Sequence, residues 1–387
     1  MKKNKIAVIS AGRSPVGKIP GIMNHIGETD LLAKIIQAVC KGYENRIDEA
    51  VLGSSFPIER DNLCRKALLC AGLSPDISCS TVSKTCASSD EALLIAVSKI
   101  RTGKAKTVLV CGSEKAGNSS YILHFMKQNI KHHLKNQLPN FQDIQDHILE
   151  NDMAYICEYL AKKYHISREV QDAFTIKSIQ KALAARAHFS EEIIPILHEE
   201  NGMRYHVYED DLLCSERPEE KISNAAPMFM QTGTLTQYNA AAICECAAAM
   251  LIMDREEAAR RGITPLAFIV DTDCIGVPKA QIGHAMTACT DKILKKNGLN
   301  KRNIDLYEIN ESFAAQAIFT ARMLGLDTER INVNGGNLAL GYPIGATGLR
   351  MQISLIYEMR RRGASMGLSV ICAGGNMANA SLYTNEP

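Results

Sequence analysis

Residues 107–113 have the sequence Thr-Val-Leu-Val-Cys-Gly-Ser, a short apolar and β-branched run that ends in glycine and serine. Such a run predicts a buried strand. The segment before it carries Leu93, Ala96, Val97 and Ile100 at helical spacing, which predicts a helix with one apolar face. A buried strand beside an amphipathic helix is the repeating unit of an α/β fold.

A similar unit recurs near the C-terminus. Residues 96–113 run from a helix through glycine and a basic residue into the strand, and residues 355–375 follow the same order. Two similar α/β halves would explain this echo, although chance similarity between two helix–strand units is also consistent with it. Further strands are predicted at residues 6–9, 268–271 and 331–333, and a further helix is predicted after Gly348.

Between these halves the pattern changes. Residues 117–152 are polar and rich in histidine and lysine, and residues 153–187 predict helix, with Ser167 placed as an N-cap. We therefore predict an N-terminal half formed by residues 1–117 and 244–264. An inserted loop domain follows at residues 118–243, and the C-terminal half covers residues 265–387.

The composition is that of an ordinary globular protein, with 387 residues of which 46% are hydrophobic and 22% charged. A formal net charge of +2 predicts no strong attraction to nucleic acid or membranes. No run approaches the ~18 apolar residues of a membrane span. The thirteen cysteines are odd in number and irregularly spaced, which favours reduced thiols and a cytoplasmic protein.

The first candidate for chemistry is Cys86, in the segment Val-Ser-Lys-Thr-Cys-Ala-Ser-Ser at residues 82–89. The predicted helix begins directly after it, so unpaired backbone N–H groups and the positive end of the helix dipole would favour the thiolate. The alternative is a small buried residue at a loop–helix junction.

Two further segments are rich in glycine. Residues 334–348 have the sequence Asn-Gly-Gly-Asn-Leu-Ala-Leu-Gly-Tyr-Pro-Ile-Gly-Ala-Thr-Gly, which indicates a backbone that approaches a ligand or another backbone, or else a structural turn. The segment fits neither a P-loop nor a dinucleotide fingerprint. Cys372 ends a predicted strand and is followed by two glycines, which places a thiol and N–H donors at a cleft.

Together these segments resemble the thiolase family, and similar segments run in the family's order through nearly the whole chain. The quoted matches are Ala-Gly-Arg-Ser-Pro-Val-Gly at 11–17, Ile-Ser-Arg-Glu-Val-Gln-Asp-Ala-Phe at 166–174 (family ISREEQDAF), Gly-Thr-Leu-Thr with Asn-Ala at 233–240 (GTVTAGNAS), and Asn-Glu-Ser-Phe-Ala-Ala-Gln at 310–316 (NEAFAAQ). The resemblance implies two similar α/β halves with helix-covered five-stranded mixed sheets.

The resemblance also implies roles for individual residues. Cys86 corresponds to the nucleophile that is acylated, and Cys372 to the second cysteine, which exchanges the α-proton of the incoming acyl-CoA. Asn310 matches the asparagine that fixes a water in one oxyanion hole, and the N–H groups of Cys86 and Gly374 match the other hole. The implied reaction is Claisen condensation or thiolysis of 3-ketoacyl-CoA through an acyl-Cys86 intermediate.

The sequence departs from the family at the active site. The family motif GHPIGA has a histidine where this chain has Tyr342, and a phenol with an ordinary pKa near ~10 is a poor proton acceptor at neutral pH. We hypothesise that His284 partly replaces the missing imidazole; an exposed or core histidine is the alternative. Around the expected CoA site, which includes Asn239, Ala241 stands where the family has a serine near the pantetheine arm, and Asp152 replaces a histidine.

Three functions are compatible with this pattern. The first is a working acetyl-CoA C-acetyltransferase or C-acyltransferase. The second is a divergent condensing enzyme or slow thioesterase with an altered acceptor, and the third is a non-catalytic subunit that binds acyl-CoA. For all three we expect acyl-CoA and CoA as partners, no cofactor beyond CoA thioesters, no metal, no nucleic acid, no membrane, and a homodimer or homotetramer.

Overall fold

The computed structural model describes residues 5–23, 25–55, 62–115, 153–200, 203–278, 281, 283–374 and 376–386. The helices in these residues are α1 Glu28–Cys40, α2 Leu63–Cys70, α3 Ser88–Arg101, α4 Met153–Lys163, α5 Arg168–Ala184, α6 Glu219–Ser223, α7 Arg255–Arg260, α8 Ala285–Lys296, α9 Ala314–Leu324, α10 Asn337–Leu340 and α11 Thr347–Arg362. The strands are β1 Ile6–Arg13, β2 Gly17–Lys18, β3 Glu49–Gly53, β4 Ser78–Val82, β5 Thr107–Glu114, β6 Ile196–Glu200, β7 Met203–Val207, β8 Cys244–Asp254, β9 Ala267–Gly276, β10 Leu306–Ile309, β11 Met366–Ala373 and β12 Met377–Thr384.

The two halves of the chain build the same strand arrangement. In the first half the order is β4-β3-β5-β8-β1, with β3 parallel to both β4 and β5 and antiparallel pairing thereafter. In the second half the order is β10-β11-β12-β9, and a parallel bridge from Tyr307 to Ile331 adds a short fifth segment. The predicted α/β fold with two similar halves is therefore confirmed, and the echoed strands β5 and β11 are central in their halves.

The two arrays are joined edge to edge. The antiparallel pairs Ile6–Ile269, Ala7–Phe268 and Val8–Ala267 connect β1 with β9, so the strands form one continuous sheet. Two separate five-stranded sheets would leave these edges unpaired, and the pairing satisfies their backbone groups. The predicted strand at 331–333 is reduced to the single bridge at Ile331.

Helices α3 and α11 form the central layer between the two halves. Leu93 and Val97 of α3 share one hydrophobic cluster with Ile353 and Ile356 of α11 and with strand residues of both halves. The helices approach so closely that a Cβ on Gly348 would lie 1.4 Å from an oxygen of Asp90, and only glycine fits there. On the outer faces, α1 and α2 cover the first half and α8 covers the second.

The helical region predicted at 153–187 is divided into α4 and α5. His165, with a φ of 51°, adopts a left-handed conformation between the two helices, which a continuous helix does not permit. Ser167 caps α5 by accepting a hydrogen bond from the backbone N–H of Val170 at 3.4 Å, which confirms the predicted N-cap. The proposed division into three domains stays a prediction. No helix in the described part of the chain is long and apolar enough to cross a membrane.

The packing of β3 against the start of α3 gives a test of this arrangement. A Cβ on Gly53 would lie 2.2–2.3 Å from backbone atoms of Ser88 and Ser89. We expect Gly53→Ala to destabilise the protein by about 1–3 kcal/mol or more, because backbone atoms cannot move aside as a side chain can. Gly276→Ala is the matched control, since its Cβ would meet no atom within 4 Å. Equal apparent melting temperatures for the two variants would contradict this packing.

Candidate active site

The Cys86 segment forms a tight turn between β4 and α3. Thr85 has a left-handed φ of 46°, and its carbonyl oxygen accepts hydrogen bonds from Ser55 Oγ at 2.5 Å and Ser88 Oγ at 2.6 Å. Ser88 Oγ also accepts from the backbone N–H of Lys84 at 2.9 Å. These bonds hold an unfavourable backbone conformation in place, so Cys86 is presented at the start of the helix in a fixed position.

Tyr342 is held on the glycine-rich loop by backbone pairing with the start of β8. Its N–H donates to Ala242 O at 2.8 Å, and its carbonyl accepts from the N–H of Cys244 at 3.1 Å. Gly341, with a φ of 101°, is required at the preceding position, because a Cβ there would lie 2.5 Å from Cys244 Sγ. The phenol of Tyr342 is thereby directed into the protein, where it is buried.

The four predicted catalytic side chains lie together. Asn310 Nδ2 lies 3.3 Å from Cys372 Sγ and 3.4 Å from the hydroxyl of Tyr342. A hydrogen bond from Tyr342 lowers the pKa of Cys86, and the neighbouring Cys372 raises it. The fold therefore brings residues from four separate segments to one point between the halves.

Both thiols are neutral at physiological pH. Burial raises the pKa of Cys86 to about 12, with a further rise from Cys372, while the hydrogen bond from Tyr342 lowers it. Burial also raises the pKa of Cys372 and keeps that of Tyr342 well above 10. The sequence predicted that the helix start would favour the Cys86 thiolate, but removal of the sulfur from water is the larger effect.

Gly374 lies beside the turn that carries Thr85 and Cys86. It has a φ of 50°, and a Cβ there would lie 3.6 Å from Thr85 Oγ1. The backbone of Gly374 therefore runs next to the residue that precedes Cys86, which is compatible with the predicted oxyanion hole. That role stays a prediction.

The segment predicted to contact CoA pairs with the segment that carries Asn310. The N–H of Ala241 donates to Ser312 O at 2.9 Å, and the N–H of Ala314 donates to Asn239 O at 2.9 Å. The Asn239 side chain is buried, donates to Asp172 Oδ1 at 3.1 Å and accepts from the N–H of Thr236 at 2.7 Å. These hydrogen bonds occupy the Asn239 amide within the loop, and the predicted contact with CoA stays a prediction. Asp152 lies outside the described residues.

Among the described residues, the contacts of the His284 side chain are with aromatic residues and not with the sulfurs of Cys86 and Cys372. Its Nε2 lies 3.0 Å from the hydroxyl of Tyr164, and its ring packs edge-on against Phe319 with centroids 4.8 Å apart. Burial lowers its pKa. The position next to Cys86 is filled by Tyr342, so the geometry favours the alternative of a histidine that packs in the core.

Three polar residues behind the four predicted catalytic side chains were not identified from the sequence, namely Ser312, Asn337 and Arg350. Ser312 Oγ lies 3.1 Å from the hydroxyl of Tyr342, and Asn337 donates to Asn310 Oδ1. A signal for Arg350 was available, since it lies three residues before Ile353 on the predicted buried face of the helix. A charged residue at such a position requires a buried partner.

A separate cavity of about 700 Å³ lies between α4 and residues 230–234, lined by residues such as Tyr159, Lys162 and His165. The sulfurs of Cys86 and Cys372 are not part of its lining. We therefore do not assign the acyl site to it.

Comparison with known proteins identifies the family of this chain. Residues 6–256 match the thiolase N-terminal domain and residues 263–385 the thiolase C-terminal domain. The chain belongs to the thiolase family. It is 33% identical to a 3-ketoacyl-CoA thiolase of Bacillus subtilis (strain 168), over 97% of this chain and 98% of that protein. It is 34% identical to an acetyl-CoA acetyltransferase of Rhizobium meliloti (strain 1021), over 98% of each.

Solved thiolase structures share the fold. An acetyl-CoA acetyltransferase from Syntrophomonas wolfei superposes with a TM-score of 0.89 at 30% identity, covering 99% of this chain and 100% of that one. Human mitochondrial 3-ketoacyl-CoA thiolase gives a TM-score of 0.88 at 27% identity, with both chains covered completely. The prediction of a thiolase-type acyltransferase is thereby confirmed.

The state of the Cys86 thiol can be measured by alkylation with iodoacetamide. Because the pKa of Cys86 lies near 12, the thiolate fraction and the alkylation rate should rise about tenfold per pH unit between about pH 7 and pH 10. Tyr342→Phe removes a donor that lowers this pKa, so the rate at any one pH should fall roughly tenfold to a hundredfold.

The matched control is Tyr357→Phe, which removes a partly buried hydroxyl that donates to Ala11 O at 2.9 Å, away from the sulfurs. Its Cys86 alkylation should equal that of the native protein. Native rates in Tyr342→Phe would show that the phenol does not donate to Cys86.

Proposed function

We propose that this thiolase forms or cleaves a carbon–carbon bond between CoA thioesters through an acyl-Cys86 intermediate. The observation that carries the proposal is the convergence of Cys86 and Cys372 on one polar group, in which Tyr342 acts on Cys86 and Asn310 lies beside Cys372 and Tyr342. The names of the relatives, 3-ketoacyl-CoA thiolase and acetyl-CoA acetyltransferase, support CoA thioesters as the substrate class.

In the first step the sulfur of Cys86 attacks the thioester carbonyl and forms a new thioester. The bond from the acyl carbon to the CoA sulfur breaks, and the proton of the Cys86 thiol leaves on the free CoA thiol. This exchange consumes no net proton, so a neutral Cys86 is compatible with it. Backbone N–H groups at Cys86 and Gly374 would stabilise the transient oxyanion.

In the second step Cys372 first gives its thiol proton to water and then, as a thiolate, takes the α-proton of a second acyl-CoA. The carbanion attacks the acyl carbon on Cys86, and the sulfur of Cys86 departs and receives the proton from Cys372. Asn310, with its amide 3.3 Å from Cys372 Sγ, is placed to hold this second sulfur and the enolate oxygen near it. Thiolysis is the same sequence in reverse.

We also propose that Tyr342 stands where other members of the family carry a histidine, and that it acts as a hydrogen-bond donor to Cys86. The phenol is a donor with a pKa above 10, and no imidazole takes its place among the contacts of Cys86 described above. The replacement favours a second candidate, a divergent condensing enzyme or slow thioesterase, because a phenol does not accept the proton of Cys86 at neutral pH.

We further propose a cytoplasmic enzyme that forms a homodimer or homotetramer and needs no cofactor other than CoA thioesters. All thirteen cysteines lie in the described residues and are free thiols, which supports a reducing compartment.

The acyl-enzyme gives the direct test. After incubation with acetyl-CoA, mass spectrometry of peptides should find one acetyl group on Cys86, while the exposed Cys70 and Cys214 serve as internal controls for non-specific acylation. Cys86→Ala should lose the adduct. Cys372→Ala should keep it but form no condensation product, since the α-proton then has no acceptor.

An adduct on Cys86 in the native protein without condensation product would support the second candidate function. No adduct with acetyl-CoA or with longer acyl-CoAs would refute the acyl-enzyme and leave a thioester-binding subunit.

The role of Tyr342 is tested by Tyr342→His. We expect the imidazole to accept the Cys86 proton and to raise the acylation rate, by a factor on the order of 10²–10⁴ at most, the usual effect of one positioned base. Acylation is read as the initial rate of acetyl adduct formation on Cys86. Loss of acylation in Tyr342→His would contradict this and show that the site depends on the phenol itself.

A further inference from the structure

The two ends of the Asn310 side-chain amide have different partners. Its Nδ2 lies 3.3 Å from Cys372 Sγ and 2.7 Å from Ser312 Oγ. Its Oδ1 accepts a hydrogen bond from Nδ2 of Asn337, and Oδ1 of Asn337 accepts one from Nη2 of Arg350. A row of three hydrogen-bonded side chains therefore leads from a guanidinium to the sulfur of Cys372.

The guanidinium sets the direction of both amides in this row. It carries donors and no acceptor, so it can meet Asn337 only at the carbonyl oxygen. The NH₂ group of Asn337 must then face Asn310 and occupy Oδ1 of that residue, which leaves the NH₂ group of Asn310 for Cys372. An isolated amide could adopt either of two orientations, and Arg350 selects one orientation for each of these two.

The backbone keeps Asn337 next to Asn310. The N–H of Asn310 donates to Val370 O at 3.0 Å, which fixes this residue at the end of β10 beside β11. The next residue, Glu311, accepts a hydrogen bond from the N–H of Leu338 at 3.2 Å, so the segment that carries Asn337 is tied to the segment that carries Asn310. The contact between the two amides therefore depends on the fold and not on two free side chains.

The end of the amide that faces Cys372 decides which form of the thiol is favoured. A thiolate is an acceptor, and a hydrogen bond to a charged acceptor is stronger than one to a neutral sulfur, so the NH₂ group of Asn310 favours the thiolate. If Oδ1 faced the sulfur instead, it would accept from the neutral thiol and disfavour ionisation. Burial raises the pKa of Cys372, and the hydrogen bond from Asn310 lowers it.

Burial makes the orientation of Asn310 depend on Asn337. Arg350, Asn337 and Asn310 are each at most 1% exposed. A buried carbonyl oxygen that loses its donor carries an uncompensated desolvation cost. Without Asn337, the Asn310 amide can recover a donor for Oδ1 by turning that oxygen towards Ser312 and Cys372, which exchanges the donor at the sulfur for an acceptor.

We propose that Asn337 is a positioning residue for Cys372: held by Arg350, it keeps the NH₂ group of Asn310 on the sulfur and so favours the thiolate. Asn337 acts through Asn310, and Arg350 acts through Asn337. The proposal rests on the proposed function only in taking Cys372 as the group that removes the α-proton.

The test is the pH dependence of the rate at which iodoacetamide alkylates Cys372, read at the peptide that contains this residue in the full-length protein. Asn337→Ala removes the donor to Oδ1 of Asn310. The alkylation rate at a fixed pH should therefore fall by roughly threefold to tenfold, the effect of one lost hydrogen bond. The pH profile should move to higher pH by roughly half a unit to one unit, because the thiolate fraction changes about tenfold per unit.

A second variant keeps the size of the side chain. Asn337→Asp can still accept from Arg350, but it offers Asn310 only an acceptor, so the Asn310 amide should turn its NH₂ group away from Cys372. The alkylation rate of Cys372 should fall at least as much as in Asn337→Ala. If Asn337→Ala does not fold, Asn337→Asp carries the test.

Asn334→Ala is the matched control. Asn334 is a buried asparagine of the same segment, and its Nδ2 donates to Glu358 Oε2 at 2.9 Å, outside the row. Cys372 should alkylate in this variant as in the native protein, and the exposed Cys70 serves as the internal reference in every sample. A merely structural defect would open the site and speed alkylation of Cys372, whereas the proposal predicts slower alkylation.

Slower alkylation of Cys372 in both Asn337 variants, with the profile at higher pH and Asn334→Ala native, would support the proposal. An unchanged or faster rate in either Asn337 variant, or an equal loss in Asn334→Ala, would overturn it. Alkylation requires no acyl-CoA. Absence of an acyl adduct on Cys86 would therefore count against the proposed function alone, and an unchanged Cys372 profile against the positioning role alone.

Discussion

The close contact between α3 and α11 is the constraint on which the site depends. Cys86 lies two residues before α3 and Tyr342 five residues before α11, so the distance between sulfur and phenol is set by how these helices meet. Gly348 allows the approach, and the N–H of Leu349 donates to Ser89 Oγ at 3.0 Å across it. Because both helices also cover strands of both halves, the central layer that stabilises the fold is the one that aligns Cys86 with Tyr342.

Burial has two opposite consequences at this site. It disfavours the Cys86 thiolate, and this effect outweighs the helix start that sequence reasoning relied on. It also excludes water from the donors, so that each remaining hydrogen bond is stronger than it would be at the surface. A thiol that is neutral at rest but faces an oriented donor is stabilised mainly while charge develops on its sulfur. Such differential stabilisation favours the reaction over the resting anion.

The sequence was sufficient to predict the fold and to select Cys86 and Cys372 as candidate site residues. It was not sufficient to predict the polar residues that lie between them. Apolar runs and glycine signals predicted β5, β11 and the helices beside them, because local patterning and burial agree there. The edge pairing of β1 with β9 could not be predicted, since it depends on how two sheets meet. Ser312 and Arg350 were missed for a related reason: their importance comes from partners distant in sequence. His284 was judged by residue type, and its true neighbours are Tyr164 and Phe319.

Because both thiols are neutral, the two steps of the proposed reaction have different energy barriers. Exchange between CoA and Cys86 moves one proton from thiol to thiol and stores no charge, so it tolerates a pKa near 12. Removal of an α-proton does not tolerate a high thiol pKa, because Cys372 must first become a thiolate in surroundings that raise its pKa. Asn310 is the hydrogen-bond donor closest to that sulfur among the described contacts, at 3.3 Å. The condensation step is therefore the slower of the two proposed steps. It follows that the acyl group on Cys86 persists whenever no carbanion forms to attack it.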